Sequence, residues 1–472
     1  SEMRLLLLLA MCVAAAAGAQ ERAPRLPPAV AQALAQAGVP ESAVGVVVQD
    51  ATAAEPLLAL GDTRALNPAS TVKLVTTFAA LDLLGPAYQW TTSVYAGGPL
   101  QDGVLAGDLV VRGGGDPRLT LDKFWSMLRA LRGRGVREVR GDLVLDRLLF
   151  ATGDGDAGAF DNEPTRPYNT LPDALLVNFK SIRLTFLPDA ERRSVRIVAE
   201  PALPQIEIVN GLKLDDEPCG DWVARSKLAA SGTADGGRLV FAGNYALACG
   251  EKERHFSLLG HPQYVHALFT QLWRESGGVF GGGVRSGASP ATAPLLEFKS
   301  EPLVDVVRDI NKYSNNVMAR QLFLSLGAIA YGAPATAEKS ARAIRQWLEQ
   351  RGVAMPELVL ENGAGLSRSE RVSARGLAQL LLLAQRSALM PEFAASLPLL
   401  AVDGTMRRRL TGAEVAGQAH IKSGSLAGVR AIAGYVLDAR GRTMVVVFIV
   451  NHPRAGEAQA AQDALLKWVY AR

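Results

Sequence analysis

From Ser42 to Leu60 the chain reads VGVVVQD, a short turn over Ala51 to Ala54, then PLLAL. Apolar runs of this length on either side of a turn predict a β-hairpin. The other end of the chain has the same texture. There HIKSGS, VRAIAGYVLD and TMVVVFIV predict three strands, the last two joined through the turn-rich Ala439-Arg440-Gly441-Arg442. Glu457 to Tyr470 then takes a helical period and is expected to pack on that sheet. It carries one lysine, Lys467, rather than the basic stripe of a membrane-surface helix.

The middle of the chain differs. Glycine clusters at Gly113-Gly114-Gly115, Gly153 to Gly158 and Gly281 to Gly283 separate short strand-like runs, so this region reads as a mostly β insertion. Within it, Leu121 to Gly135 predicts a helix, followed by a strand over Asp142 to Leu145. The triple glycine lacks the Gly-Lys-Ser/Thr ending of a phosphate loop and reads as a turn. Arg129 to Arg140 is basic, but its interleaved apolar residues have helical spacing, which predicts a solvated helix face. A chain of 472 residues exceeds the size at which one core stops growing, about 250 to 300 residues. We therefore divide it into an outer domain from residues 27–90 and 285–472, one insertion domain from 91–106 and 170–284, and another from 107–169. No repeat of 20 to 50 residues is present.

Apolar residues make up 49% and charged residues 20%, a globular composition. With 50 basic and 46 acidic residues, the charge gives no indication of nucleic acid. Met3-Arg4 opens an apolar run that ends in Ala17-Gly18-Ala19, which predicts a secretory signal over residues 1–19. No later apolar run approaches the roughly 20 residues that cross a bilayer, so no transmembrane segment is expected and membrane association would be at most peripheral. Beyond the signal lie two cysteines, Cys219 and Cys249. In an oxidising compartment they are expected to pair, for about 3 to 4 kcal/mol by loop entropy; the alternative is two free buried thiols.

Three short motifs carry chemistry. In Asn67-Pro68-Ala69-Ser70-Thr71-Val72-Lys73, before the periodic LVTTFAALDLLG, Ser70 opens a helix and shares a face with Lys73. An amine three residues along a helix reaches the hydroxyl and can take its proton. Ser314-Asn315-Asn316 supplies a hydroxyl and an amide where a helix begins after a polar turn. Lys422-Ser423-Gly424-Ser425 sets a cation, a hydroxyl and a glycine along one strand edge. Each alone fits an ordinary cap, turn or edge strand.

Together, in this order, they are the Ser-x-x-Lys, Ser-x-Asn and Lys-Ser/Thr-Gly elements of penicillin-recognising serine enzymes. The mature chain resembles the D-alanyl-D-alanine carboxypeptidase/endopeptidase family, the class C low-molecular-mass penicillin-binding proteins. The Gly-Gly-Gly-Asp-Pro segment at 113 to 117 and Glu361-Asn362-Gly363-Ala364-Gly365-Leu366-Ser367-Arg368 add to the likeness.

The resemblance implies an α/β multidomain fold. Its catalytic domain would be an antiparallel sheet flanked by helices, carrying the inserted domains. It implies that Ser70 attacks the carbonyl between two D-alanines with Lys73 as base, that Ser314 relays a proton to the leaving amine, and that Asn316 holds the substrate amide. Lys422 and Ser423 would bind the terminal carboxylate, with Arg368 nearby. The backbone N–H groups of Ser70 and Ser425 would form the oxyanion hole, with Gly424 allowing close approach. Asp161, Glu163 and Tyr168 resemble a segment that reaches the stem peptide's amino group.

Partners would be peptidoglycan peptides and cross-links and β-lactam antibiotics, in the periplasm, with no cofactor. Lys73 must be neutral to act, so a lowered pKa is expected from burial and from Lys422. Ser423 replaces the family's usual threonine, Glu361 its usual aspartate, and Ala427 a position that can be polar in relatives.

A β-lactamase or esterase of the same fold would use the same serine, but more than 200 residues separate the first two motifs and no Glu-x-x-Leu-Asn element stands out. A cell-wall-binding protein with a dead site is the rival of another class. His255, His261 and His266 lie close in sequence, but without a His-Glu-x-x-His pattern they do not predict a metal site.

Overall fold

The computed structural model describes residues 25–151 and 155–472. The expected signal segment, residues 1–19, lies outside the described residues, as does Gly153.

The two ends of the chain meet in one antiparallel sheet. Its five strands run in the order Leu58–Leu60, Val44–Asp50, Thr443–Asn451, Val429–Leu437 and Ala419–Leu426. Val44 pairs with Val450 and Asp50 with Met444, which zips the N-terminal hairpin to the last strand. The alternation of strand side chains sends Val44, Val46, Val48, Val446 and Phe448 to one face and Val47, Val445, Val447 and Ile449 to the other. Helices cover both faces, so TMVVVFIV is apolar throughout rather than alternating. On one side lie Pro28–Ala37 and Gln459–Tyr470. On the other are Lys73–Leu84, Leu303–Tyr313, Asn316–Tyr331, Ala337–Gln350 and Ala374–Gln385. Each of these fully buried Val, Ile and Phe side chains contributes about 1.5 to 3 kcal/mol.

The insertion leaves and re-enters at one point. The Trp90 N–H donates to Ser300 Oγ (2.9 Å), the Ser300 N–H donates back to the Trp90 carbonyl (3.0 Å), and Trp90 Nε1 donates to Ser325 Oγ (3.0 Å). A second buried tie links Gln321 and Asp173, whose side-chain amide and backbone groups exchange two hydrogen bonds of 2.8 Å. Trp90, Ser325, Gln321 and Asp173 thus bind the insertion to the Asn316–Tyr331 helix.

Inside the insertion, the strand order is Val284–Ser286, Leu143–Asp146, Asp108–Arg112, Thr91–Gly97 and Leu296–Lys299. This sheet crosses two of the expected boundaries. Asp108–Arg112 pairs with Thr91–Gly97 on one side and Leu143–Asp146 on the other, although sequence assigned Thr91–Gly97 to a different insertion domain from these two, and Leu296–Lys299, expected in the outer domain, pairs with Thr91–Gly97. Glycine punctuation marks where strands stop, not which distant strand each one pairs with. Smaller sheets pack around one shared core that includes Phe124, Leu143, Phe186, Tyr245 and Trp273.

The helix expected from residue 121 spans Leu121–Gly133 and buries Phe124, Met127, Leu128 and Leu131. Among the described residues no helix is long and apolar enough to cross a membrane.

Cys219 and Cys249 form a disulfide closing a loop of sequence separation 30 in the insertion. A Cys219→Ser/Cys249→Ser double variant should lose about 3 kcal/mol of stability from the loop-entropy term. Denaturant titration of the two forms measures it; a loss under about 1 kcal/mol would show that the loop is already ordered without the bond.

Candidate active site

Ser70 sits in a single 3₁₀ turn, Ala69–Val72, that runs directly into the Lys73–Leu84 helix. Local chemistry builds the turn: Asn67 Oδ1 accepts the Ala69 N–H (2.9 Å), and Thr71 Oγ1 donates to the Pro68 carbonyl (2.7 Å). Ala69 has φ of +46°, a left-handed conformation that a residue with a Cβ keeps only when its surroundings impose it. Those surroundings come from distant chain. Asn67 and Asn451, at the end of a central strand, exchange bonds of 2.7 and 3.0 Å, and Asn67 Nδ2 donates to the Ser367 carbonyl (2.9 Å).

Two glycines let other segments close on this turn. A Cβ on Gly424 would stand 2.8 Å from the Ser70 nitrogen, and one on Gly365, whose φ is +86°, would stand 2.0 Å from the Ala69 oxygen. Only glycine allows both approaches.

The three motifs meet here. Lys73 is completely buried. Its Nζ donates to Ser70 Oγ (2.8 Å), Asn316 Oδ1 (2.6 Å) and the Ala364 carbonyl (2.6 Å). Those three bonds use every proton of an ammonium; a neutral amine keeps two and presents a lone pair to the hydroxyl. Burial, then the positive Lys422, lower the Lys73 pKa well below its ordinary value, while the negative Glu370 opposes them.

Lys422, also completely buried, donates to Ser314 Oγ (2.9 Å) and to the Ser423 carbonyl (2.7 Å), and burial brings its pKa to about 7. Ser314 reaches it through a left-handed backbone (φ +56°, ψ +44°) that ends the Leu303–Tyr313 helix. Asn315, not Ser314, caps the next helix, its Oδ1 accepting the Met318 N–H (2.9 Å). Ser423 Oγ hydrogen-bonds Thr405 Oγ1 at 2.7 Å, and Ser425 is exposed on the same edge strand.

The outlying candidates divide. Arg368 is exposed, donates to the Ala427 carbonyl (3.1 Å) and lies 4.7 Å from the centre of the Phe160 ring. It lines a cavity of about 510 Å³ together with Arg320, Asn169 and Glu361. Asp161 is engaged locally, accepting from Tyr168 OH (2.7 Å), Asn169 Nδ2 (2.7 Å) and the Glu163 N–H (3.1 Å). Tyr168 itself lines a second cavity with Ser314 and Asn316. His261 and His266 each contact a different backbone carbonyl, of Leu171 and Gly282.

Sequence reasoning missed Glu370. This carboxylate, fully buried, accepts four backbone N–H groups: Glu361, Asn362 and Gly363 on Oε1 and Gly365 on Oε2, at 2.7 to 3.1 Å. It shapes the loop whose Ala364 carbonyl holds Lys73. Its sole signal is an acidic residue close after the Gly-Ala-Gly-Leu-Ser-Arg run, too common a pattern to be specific. Thr405 has no signal at all.

Known proteins resemble this chain over most of its length. A D-alanyl-D-alanine carboxypeptidase of Haemophilus influenzae is 27% identical over 83% of this chain and 82% of its own length. One from an Actinomadura species is 29% identical over 89% of this chain and 80% of its own. In fold, the chain is similar to the crystal structure of penicillin binding protein 4 of Haemophilus influenzae, with a TM-score of 0.77, 24% identity, and coverage of 94% of this chain and 99% of that one. The D-Ala-D-Ala carboxypeptidase 3 (S13) family matches residues 26–471, and the chain belongs to that family of peptidases.

Proposed function

We propose that this chain is an exported, periplasmic serine D-alanyl-D-alanine carboxypeptidase/endopeptidase that acts on peptidoglycan stem peptides and is acylated by β-lactams. The observation that carries the reading is the buried Lys73 amine, 2.8 Å from Ser70 Oγ, with a second buried lysine, Lys422, bonded to Ser314.

In this mechanism, neutral Lys73 removes the Ser70 proton as Oγ attacks the carbonyl between two D-alanines. Backbone N–H groups of Ser70 and Ser425 stabilise the oxyanion. The C–N bond breaks, and the proton passes through Ser314 to the departing amine. Water then hydrolyses the Ser70 ester. Asn316 holds the substrate amide, Lys422 and Ser423 the terminal carboxylate, and Arg368, Asp161 and Tyr168 the stem peptide. For the domain division, the strand pairing supports placing all of roughly 91–299 in the insertion.

Brief incubation with benzylpenicillin should give a single persistent mass adduct in the wild type and none in Ser70→Ala. Rapid drug hydrolysis without an adduct would indicate a β-lactamase, and neither event a dead site.

The pH dependence follows from the two lysines. Activity should rise with pH as Lys73 loses its proton, and kcat/KM should fall again above about 7, where free Lys422 loses its charge. A bound carboxylate holds the proton on Lys422, so the falling limb of kcat should lie at higher pH. Profiles flat between about 6 and 9 would remove both lysines from these roles.

Glu370→Gln tests the loop. An amide in place of Oε2 faces the Gly365 N–H with a donor, so stability should fall by about 2 kcal/mol, the value of a buried charged hydrogen bond. Loss of the counter-charge should also move the rising limb to lower pH. An unmoved profile would make Glu370 a purely structural brace.

A further inference from the structure

Three cavities lead away from the site across the insertion, and successive ones share walls. The first, about 270 Å³, touches Ser314 and Asn316. It shares Phe179, Ser181 and His255 with a second of about 650 Å³. Trp125 lines both the second and a third of about 1020 Å³, whose lining includes three arginines, Arg129, Arg132 and Arg137, together with Asp102 and Glu275.

Aromatic side chains stand open along this path. Tyr313, at the inner end, is 70% exposed and Trp125, at the outer end, is 43% exposed. Arg129, one helical turn from Trp125, lies 5.1 Å from the centre of its ring. At the junction of the first two cavities, Asn178, Phe179 and Lys180 take φ values of +48°, +53° and +51°. Three successive left-handed residues persist only where tertiary contacts over-determine them, here Asn178 Nδ2 bonded to Tyr264 OH (3.0 Å) and Lys180 Nζ to the Leu259 carbonyl (2.7 Å). Their conformation sets the Phe179 ring in the common wall.

We infer that this aromatic and arginine-lined track is a binding groove for the glycan strand of peptidoglycan, continuous with the site that holds the stem peptide. Amino-sugar rings present flat apolar faces to Trp and Tyr, and their N-acetyl carbonyl and hydroxyl oxygens accept hydrogen bonds from the arginine fork. Continuity with the Ser314–Asn316 wall supplies the choice of occupant, because a stem peptide held there is covalently joined to sugar. The inference rests on the proposed peptidoglycan reading.

The test is binding of soluble, peptide-free strands of alternating N-acetylglucosamine and N-acetylmuramic acid to the full chain, followed by calorimetry. Trp125→Ala and Arg129→Glu, both at exposed positions and checked by their melting transitions, should each weaken binding at least tenfold, and Trp125→Phe should restore most of it. No binding by the wild type, or equal binding by all variants, would overturn the groove. So would tighter, Trp125-dependent binding of sugar-free cross-linked peptides, which would make the occupant a second stem. The penicillin adduct reports on Ser70 separately: an adduct without glycan binding sinks the groove alone, and glycan binding without an adduct sinks the enzymatic reading alone.

Discussion

The structure is organised around one costly constraint, a lysine amine with no access to water. Removing an ammonium from solvent is tolerable only if every proton finds an acceptor or the charge is given up. Lys73 has both options: three acceptors at hydrogen-bond distance, and a lowered pKa caused by burial and by Lys422. The acceptors come from three separate parts of the chain, namely the Ser70 turn, the head of the Asn316–Tyr331 helix and the loop before Ser367. The site exists only when all three are docked.

Much of the remaining architecture supplies that docking. Asn67 and Asn451 clasp the Ser70 turn to the last strand, and Gly424 lets the edge strand touch it. Glu370 folds the 361–365 loop around its own carboxylate so that the Ala364 carbonyl points at Lys73. A second buried charge is thereby placed near the first with opposite sign, offsetting part of the repulsion from Lys422. The insertion is tied to the same helix through Trp90, Ser325, Gln321 and Asp173. Its position relative to Ser70, Lys73 and Asn316 is therefore fixed by buried hydrogen bonds rather than by a flexible link.

The hairpin, the three C-terminal strands and the terminal helix were legible in the sequence because their signals are local: an apolar run, its length and the turn that ends it. The three motifs were legible for the same reason, since Ser70 and Lys73 lie one helical turn apart and Lys422 to Ser425 follow one another on a strand. Signals of this kind do not reach the middle of the chain. Asp108–Arg112 and Thr91–Gly97 are neighbours by hydrogen bonds that no spacing announces, and so the insertion was divided where its sheet is continuous.

By itself, then, the sequence determined the elements, the family likeness and the set of groups able to do acyl-transfer chemistry, all of which depend on contacts within a few residues. Only the tertiary structure decided that Lys73 is buried and that Asn316 and Ala364 share it with Ser70. These facts arise from contacts between residues up to hundreds of positions apart, formed when the core excludes water, and a protonation state follows from that exclusion.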